Sequence, residues 1–407
     1  MNYNSIFIGG GAASFFAAIR LAELRPGLKI MIVEKGKEVL QKVRISGGGR
    51  CNLTNAISEP RELSAYYPRG GKTLIGPFTK FNSADTVAWF QDRGVKIKKE
   101  ADGRMFPESN RSESILNCLI SEAEKLNIEI RLHTNVLEIE VLESSWQLHC
   151  ADTLFTCNQL FIGAGSSNRI WGILKNLDIS VIDPVPSLFT FNIKDERLSD
   201  LPGIAIKDAE IKIPGSKLSE RGPVLITHWG LSGPGILRLS AWGAIDLHEK
   251  QYQFDILINW LPKYSIDSLK KTIDTIRHTK GSTLPSGKSP FEEFPLRFWK
   301  KIIASAGIPE HTKWADLNKS QITSLLKAIS ESNFCVNGKS TFKEEFVTAG
   351  GVDLKAIDFK SFSVKNYPTL FMAGEILNID GITGGFNFQA AWTGGWIAGG
   401  AMADYEC

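Results

Sequence analysis

The sequence predicts an α/β protein whose first domain is interrupted by a long insertion and completed by the C-terminal segment. Three observations support this. A strand, a glycine loop, a helix and a second strand fill residues 5–34. From Leu188 the pattern changes to strand-like runs and then to helices. Residues 370–403 return to an apolar strand, a glycine-rich loop and a helix.

A chain of 407 residues suggests about two to three domains. With 43% hydrophobic and 22% charged residues it has the make-up of a soluble globular protein. A net charge of only +3 argues against a dedicated nucleic-acid binder. The cysteines at 51, 118, 150, 157, 335 and 407 form neither C-x-x-C nor a metal-ligand spacing with the histidines. No metal is expected, and a reduced, cytoplasmic setting fits. The apolar start lacks a basic leader and is broken by glycines 9–11, so it reads as strand and helix rather than signal peptide. No apolar stretch approaches the roughly 20 residues that span a bilayer.

The first element, Ser5 to Ile8, is a buried strand, followed by Gly9-Gly10-Gly11 and a helix over 12–24. A second strand, KIMIV over 29–33, ends at Glu34, 25 residues after Gly9. This is the βαβ dinucleotide fingerprint. Gly9 makes the tight turn, and Gly11 lets a pyrophosphate approach the backbone. The helix start at Ala12 and Ala13 aims its N–H groups and dipole at the phosphates. Glu34 is placed to accept hydrogen bonds from a ribose. Ser14 stands at the third fingerprint position, where glycine is usual.

The next stretch separates a flavin from a nicotinamide cofactor. A nicotinamide dehydrogenase continues with an alternating α/β half. Here 35–55 is rich in Gly, Lys and Arg and shows little helical periodicity. FAD is the larger ligand and needs a second wall. ISGGGRCNLTN, residues 45–55, supplies one. Gly47, Gly48 and Gly49 let backbone pass close to a flat ring. Arg44 and Arg50 answer negative charge, and Asn52 offers donors and acceptors. Cys51 has no partner cysteine nearby in sequence and reads as a packed residue rather than a redox thiol.

Further on, ADGRMFPESN (101–110) is a turn leading into a helix over 112–126, capped by Ser109 or Asn110. Arg104 is a candidate for the substrate or flavin pocket; a solvated turn arginine is the competing reading. Strands are expected at 128–132 and 135–141, the second offering the Val136 backbone to an adenine. Gly163-Ala164-Gly165 follows another strand and matches G-x-G-x-x-N, with Asp183 20 residues beyond Gly163. It is either a second, NAD(P)H-binding site or, more economically, a strand end returning to the pyrophosphate of FAD.

In the insertion, FTFNIKD, IAIKDAEIKI, PVLITHW and YQFDILINW read as strands, and 266–276, 295–306 and 321–329 as helices. THWGLSGPGIL (227–237) presents His228, a candidate for substrate binding or proton transfer. After the insertion, the strand LFMA runs into Gly374-Glu375 and then NIDGITGGFN, 378–387. A helix from Phe388 to Ala403 follows. Its N-terminal dipole suits the electron-rich edge of a reduced flavin.

Taken together, GGGAASFFAAI, ISGGGRCNLTN, GRMFPESN, THWGLSGPGIL, VTAGGVD and AGEILNIDGITGGFNFQAAWTGGWIAG resemble, in order, the signature segments of one bacterial flavoprotein family. Its members are known as aminoacetone-oxidase-type FAD proteins and as BaiN-type (bile-acid dehydroreductase) NAD(P)/FAD oxidoreductases. The resemblance runs from residue 3 to about 403. It implies a Rossmann-like, two-dinucleotide-binding-fold FAD domain, split in sequence, with an inserted β-barrel-like unit and a small helical unit. It implies non-covalent FAD, with NAD(P)H as a candidate electron donor. By position it carries over Gly9, Gly11, Glu34, Lys35, Ser46, Gly47, Arg50, Asn52, Val136, Gly165, Gly374, Glu375, Asp380, Gly385 and Asn387. Gly384 and Phe386 lie within the same final loop. The chain departs from the family at Ser14 and in SFSVKNYPTLFMAGE.

The expected division is an FAD-binding domain of 1–188 with 346–407, a β-rich part of 189–262 and a helical part of 263–345. The expected function is an FAD oxidoreductase moving a hydride between a small organic substrate and flavin N5, with NAD(P)H as reductant. His228 and Arg104 are the catalytic candidates. The alternatives are an amine or aminoketone oxidase using oxygen, and an FAD protein acting on RNA, motivated by Lys270-Lys271 and Lys300-Lys301.

Overall fold

A computed structural model describes residues 1–340 and 347–405. The expected boundary at 345/346, and Cys407, lie outside the described residues. The chain divides into two units, Met1–Pro186 with Lys343–Cys407, and Ser187–Phe342.

The first unit is built on five parallel strands: β1 (Asn2–Ile8), β2 (Ile30–Val33), β3 (Glu129–Arg131), β4 (Leu154–Ile162) and β5 (Tyr367–Met372), in the spatial order β5-β4-β1-β2-β3. All of β2 and Phe7–Ile8 of β1 are buried, so these strands read as continuous apolar runs rather than alternations. The direction of winding reverses between β1 and β4, which creates a crevice at the C-terminal edge of the sheet. An antiparallel hairpin, Val136–Val141 with Trp146–Cys150, joins the first half of β4.

Two helices pack as a pair in this unit, α1 (Ala12–Leu24) and α2 (Phe386–Asp404). Gly395 and Gly399 lie four residues apart on α2. A Cβ on Gly395 would stand 2.5 Å from Ala13 O, and one on Gly399 would stand 2.4 Å from Ala17 O. The two backbones therefore meet directly, and α1 is buried almost all round, which explains its nearly featureless apolar sequence. Trp392 closes the contact against Phe16, with ring centroids 5.0 Å apart.

Two local expectations need correction. Residues 35–55 contain a helix, Gln41–Gly49, which kinks where Ser46, Gly47 and Gly48 leave helical geometry. Its single regular turn is too short to show periodicity. The helix Glu113–Lys125 is not capped by Ser109 or Asn110. Its N-cap is Ser112, whose hydroxyl donates to Arg44 O at 2.7 Å, while its N–H donates to Gly49 O at 2.9 Å. That helix end is tied to the glycine loop instead of capping itself.

The second unit holds a seven-stranded sheet that includes Thr190–Asn192, Ala205–Lys212, Ser219–Thr227, Gly230–Ser232, Gln253–Asn259 and Ser332–Asn337. The expected barrel-like closure is not seen among the described residues; the sheet is an open antiparallel path. Helices supply what closure would have supplied. Ile236, Leu269, Trp299, Ile302 and Leu325 share one core with Ile206, Ile211, Val224 and Ile256, so the apolar sheet face is covered without a closed cylinder. No helix among the described residues is long and apolar enough to cross a membrane.

Candidate functional site

The parallel strands deliver the glycine loops to one edge. β1 ends at Gly9, β2 at Glu34, β4 at Gly163 and β5 just before Gly374. Gly163 N donates to Ile8 O at 2.9 Å, so β4 continues alongside β1 into the first loop. A Cβ on Gly9 would lie 2.7 Å from Ala164 Cα. Gly163-Ala164-Gly165 is thus packed against Gly9 and belongs to the same crevice. Asp183 is exposed and paired with Lys175 at 3.1 Å.

The glycines of this edge fall into two physical classes. Some are required by the protein itself: a Cβ on Gly10 would lie 2.5 Å from Val39 Cγ1, and one on Gly47 would lie 2.9 Å from Phe106. Others leave room. A Cβ on Gly11 would meet only Gly163 O at 3.4 Å, and those on Gly48 and Gly49 would meet nothing within 4 Å. At Gly48 and Gly49 the left-handed backbone, φ +69° and +81°, itself calls for glycine; at Gly11, with φ −98°, neither packing nor backbone conformation does, and a ligand lying against the backbone would. Gly11 is also the N-cap of α1, with no side-chain cap and no acidic residue in the first turn. The orphan N–H groups at Ala12 and Ala13 are those that suit a diphosphate. The Ser14 hydroxyl, fully buried beside Gly163, has no hydrogen-bond partner among the described residues.

Glu34 organises the loop around it. Its carboxylate accepts Gly10 N–H at 2.8 Å and Gly36 N–H at 2.7 Å. Lys35 is exposed. Val136 is buried at the start of its hairpin strand, opposite Cys150.

The second loop joins the start of α2. With its amide oxygen turned to Gly385, Asn52 accepts the Gly385 N–H at 2.9 Å and donates to Thr54 O at 3.2 Å. Asn55 donates to Gly384 O at 3.2 Å. Asn387 makes two 2.8 Å bonds to the backbone of Gly381. Phe386 is buried and stacked on Tyr66 with centroids 4.6 Å apart. Like α1, α2 starts at a glycine without a side-chain cap or an acid in its first turn. Ser46 Oγ donates to Val43 O at 3.0 Å. Cys51 is fully buried, and burial pushes its thiol up to about 12, as expected of a packing residue rather than a nucleophile.

The arginines have protein partners. Arg50 bonds Glu100 at 2.7 Å and lies 4.0 Å over the Phe106 ring. Arg104 shares Glu100 at 3.1 Å and bonds Asp102 at 2.7 Å. Arg44 lies within 3.9 Å of Glu38 and Glu113. His228 is in the second unit, exposed on a turn.

Several partners were not read from the sequence. Asp380 is buried in an ion pair with Arg69. Glu375 is held by Lys42, and accepts the Thr348 N–H at 3.1 Å. Behind the second loop, Gln389 accepts from Thr54 at 2.6 Å and Thr86 at 2.9 Å. The side-chain pairs join positions more than 300 residues apart and leave no local pattern.

Comparison with protein families decides the class of this crevice. The family model described as HI0933-like protein Rossmann domain matches residues 3–401. The chain belongs to the HI0933-like Rossmann family. A Haemophilus influenzae relative named ribosomal RNA dihydrouridine synthase is 28% identical, covering 96% of this chain and 96% of that protein. A Clostridium scindens relative named 3-dehydro-bile acid delta(4,6)-reductase is 22% identical, covering 98% of each. Among solved structures, the 3-ketosteroid-delta4-(5alpha)-dehydrogenase of Rhodococcus jostii RHA1 superposes with a TM-score of 0.54 at 12% identity, covering 99% of this chain and 97% of that one. This likeness shows the fold. Membership of the HI0933-like family makes the protein a flavoprotein of the FAD-dependent oxidoreductase class. The open position at Gly11 and the two uncapped helix starts fit FAD.

Proposed function

We propose that the protein is an FAD-dependent reductase that adds a hydride to a carbon–carbon double bond conjugated to a carbonyl, with a uracil ring in RNA as its substrate. The observation that carries the FAD-dependent reading is the convergence of Gly9–Gly11, Glu34, Gly163–Gly165 and Gly374–Glu375 on one edge of a parallel sheet. The RNA reading is supported by the full-length relative named for making dihydrouridine in ribosomal RNA. The relative named for a bile-acid double bond calls for the same kind of hydride addition.

Bound FAD supplies hydride transfer at N5 of its ring. The chain's own residues do the rest. Ala12 and Ala13 at the start of α1 would bind the diphosphate, and the backbone of Gly47–Gly49 would face the ring. The dipole at Gly385 would stabilise negative charge on the ring. In the uracil reaction hydride reaches C6 and a proton reaches C5, giving dihydrouracil, with NAD(P)H as the source of the electron pair. Arg104 is our candidate to orient the substrate.

The test begins with anaerobic addition of NADH and of NADPH, in separate cuvettes, while the flavin band is followed. Rapid bleaching by either is expected. Unmodified ribosomal RNA, a 4-ene-3-oxo steroid and an aminoketone are then offered. The reading expects RNA uridines to gain two mass units. Bleaching followed by turnover of steroid or aminoketone alone would remove RNA as the substrate.

A further inference from the structure

The second unit carries the chain's positive charge. Residues 187–340 hold 21 Lys and Arg against 16 Asp and Glu, while the whole chain is only +3. One place in this unit combines that charge with an exposed aromatic ring. The strands Ser219–Thr227 and Gly230–Ser232 pair in register, Thr227 opposite Gly230, leaving His228 and Trp229 as a two-residue turn.

The turn is held from both sides. Thr227 Oγ1 accepts the Trp229 N–H at 3.3 Å and donates to Gly230 O at 3.2 Å. Trp229 O accepts the Ile193 N–H at 2.9 Å. Gly230 has φ +141°, and a Cβ there would lie 2.3 Å from Phe191 O. On this fixed backbone Trp229 is 60% exposed, the most exposed tryptophan among the described residues. Beside it, the exposed Lys194 follows Ile193 and makes no ion pair among the described residues; the nearby Asp195 is engaged by Arg197 at 2.6 Å. Across Thr190–Asn192, Lys339 pairs with Phe191 in the sheet, and its ammonium lies 5.0 Å from the centre of the Tyr252 ring.

A rigid aromatic shelf with a lysine beside it is what single-stranded nucleic acid requires: a π-face for a base, and a cation for a neighbouring phosphate. We infer that the His228–Trp229 turn, with Lys194, is a contact surface for single-stranded RNA on which Trp229 stacks a base. This inference rests on the RNA reading above.

The test uses the full-length, FAD-loaded protein and a fluorescein-labelled, uridine-containing single-stranded RNA of about 12 nucleotides, followed by anisotropy over a series of salt concentrations. Trp229→Ala is expected to weaken binding about tenfold at every salt concentration. Trp229→Phe, which keeps a stacking face, stays within about threefold of the parent. Lys194→Glu weakens binding and lowers the salt slope by about one. Flavin content and circular dichroism check that each variant is folded. If the parent binds and Trp229→Ala binds within twofold of it, the turn is not the contact surface, and the RNA reading itself stands. If the parent binds no RNA even at low salt, both are overturned.

Discussion

Gly385 stands directly against the main chain of Thr54: a Cβ on Gly385 would lie 2.5 Å from the Thr54 carbonyl carbon and oxygen. Gly385 also adopts φ +90°, a left-handed conformation, as it starts α2. The second glycine loop and the last helix are thereby locked together, although 331 residues separate them. Gly385→Ala is expected to destabilise the protein by roughly 1–3 kcal/mol from the backbone conformation alone, with the contact adding to it. Urea unfolding of the apoprotein measures this. A midpoint equal to the parent's would contradict the locked contact.

Asp380 is fully buried against Arg69. Removing one partner strands a buried charge, which costs about 3–5 kcal/mol. Asp380→Asn and Arg69→Met are each expected to lower stability by that order. The double variant is expected to lose less than the sum of the two. Additive losses in a double-mutant cycle would show that the pair is not coupled.

The Ser14 hydroxyl is buried and unpaired among the described residues. A buried hydroxyl without a partner costs about 1–3 kcal/mol of desolvation. Ser14→Ala is therefore expected to stabilise the apoprotein, read as a higher urea midpoint. Destabilisation would mean the hydroxyl has a partner, such as an ordered water.

Burial pushes the thiols of Cys51 and Cys157 up to about 12, from an ordinary value of 9.0. Between these values the folded state keeps both protons and the unfolded state releases them. The unfolded state then binds fewer protons, so stability falls as pH rises above about 9. The slope is roughly 1.4 kcal/mol per pH unit for each thiol. Cys51→Ala is expected to flatten this fall, seen in urea midpoints at pH 8 and about pH 10.5. In the native protein at pH 8, exposed Cys335 is expected to react with a thiol reagent well before Cys51.

What the sequence shows and hides has a physical pattern. Gly9, Gly163 and Gly385 are legible because backbone conformation and close approach act locally, leaving glycine clusters between apolar strands. The βαβ unit is legible because strands buried on both faces read as unbroken apolar runs. The helix Gln41–Gly49 is not, since one regular turn ending in glycines shows no period. The strand Ser332–Asn337 is also missed, because SNFCVN offers only Phe334 and Val336 as a short buried alternation and is fixed as a strand by pairing with Gln253–Asn259. The Arg69–Asp380 and Lys42–Glu375 pairs depend on tertiary contact alone. In the second unit, covering helices do the work that closure of the sheet would do, and strand patterns alone do not separate the two.

The most direct test of the central claim is the flavin content of Gly11→Val. Gly11 has φ −98° and ψ −178°, a conformation open to valine, and its Cβ would meet only Gly163 O at 3.4 Å. The variant is expected to fold. Its side chain would fill the space at the start of α1 where the diphosphate lies. Gly11→Val is expected to keep the parent's circular dichroism and to purify colourless, with less than about a tenth of the parent's FAD. A folded Gly11→Val that purifies yellow with the parent's FAD content would contradict it.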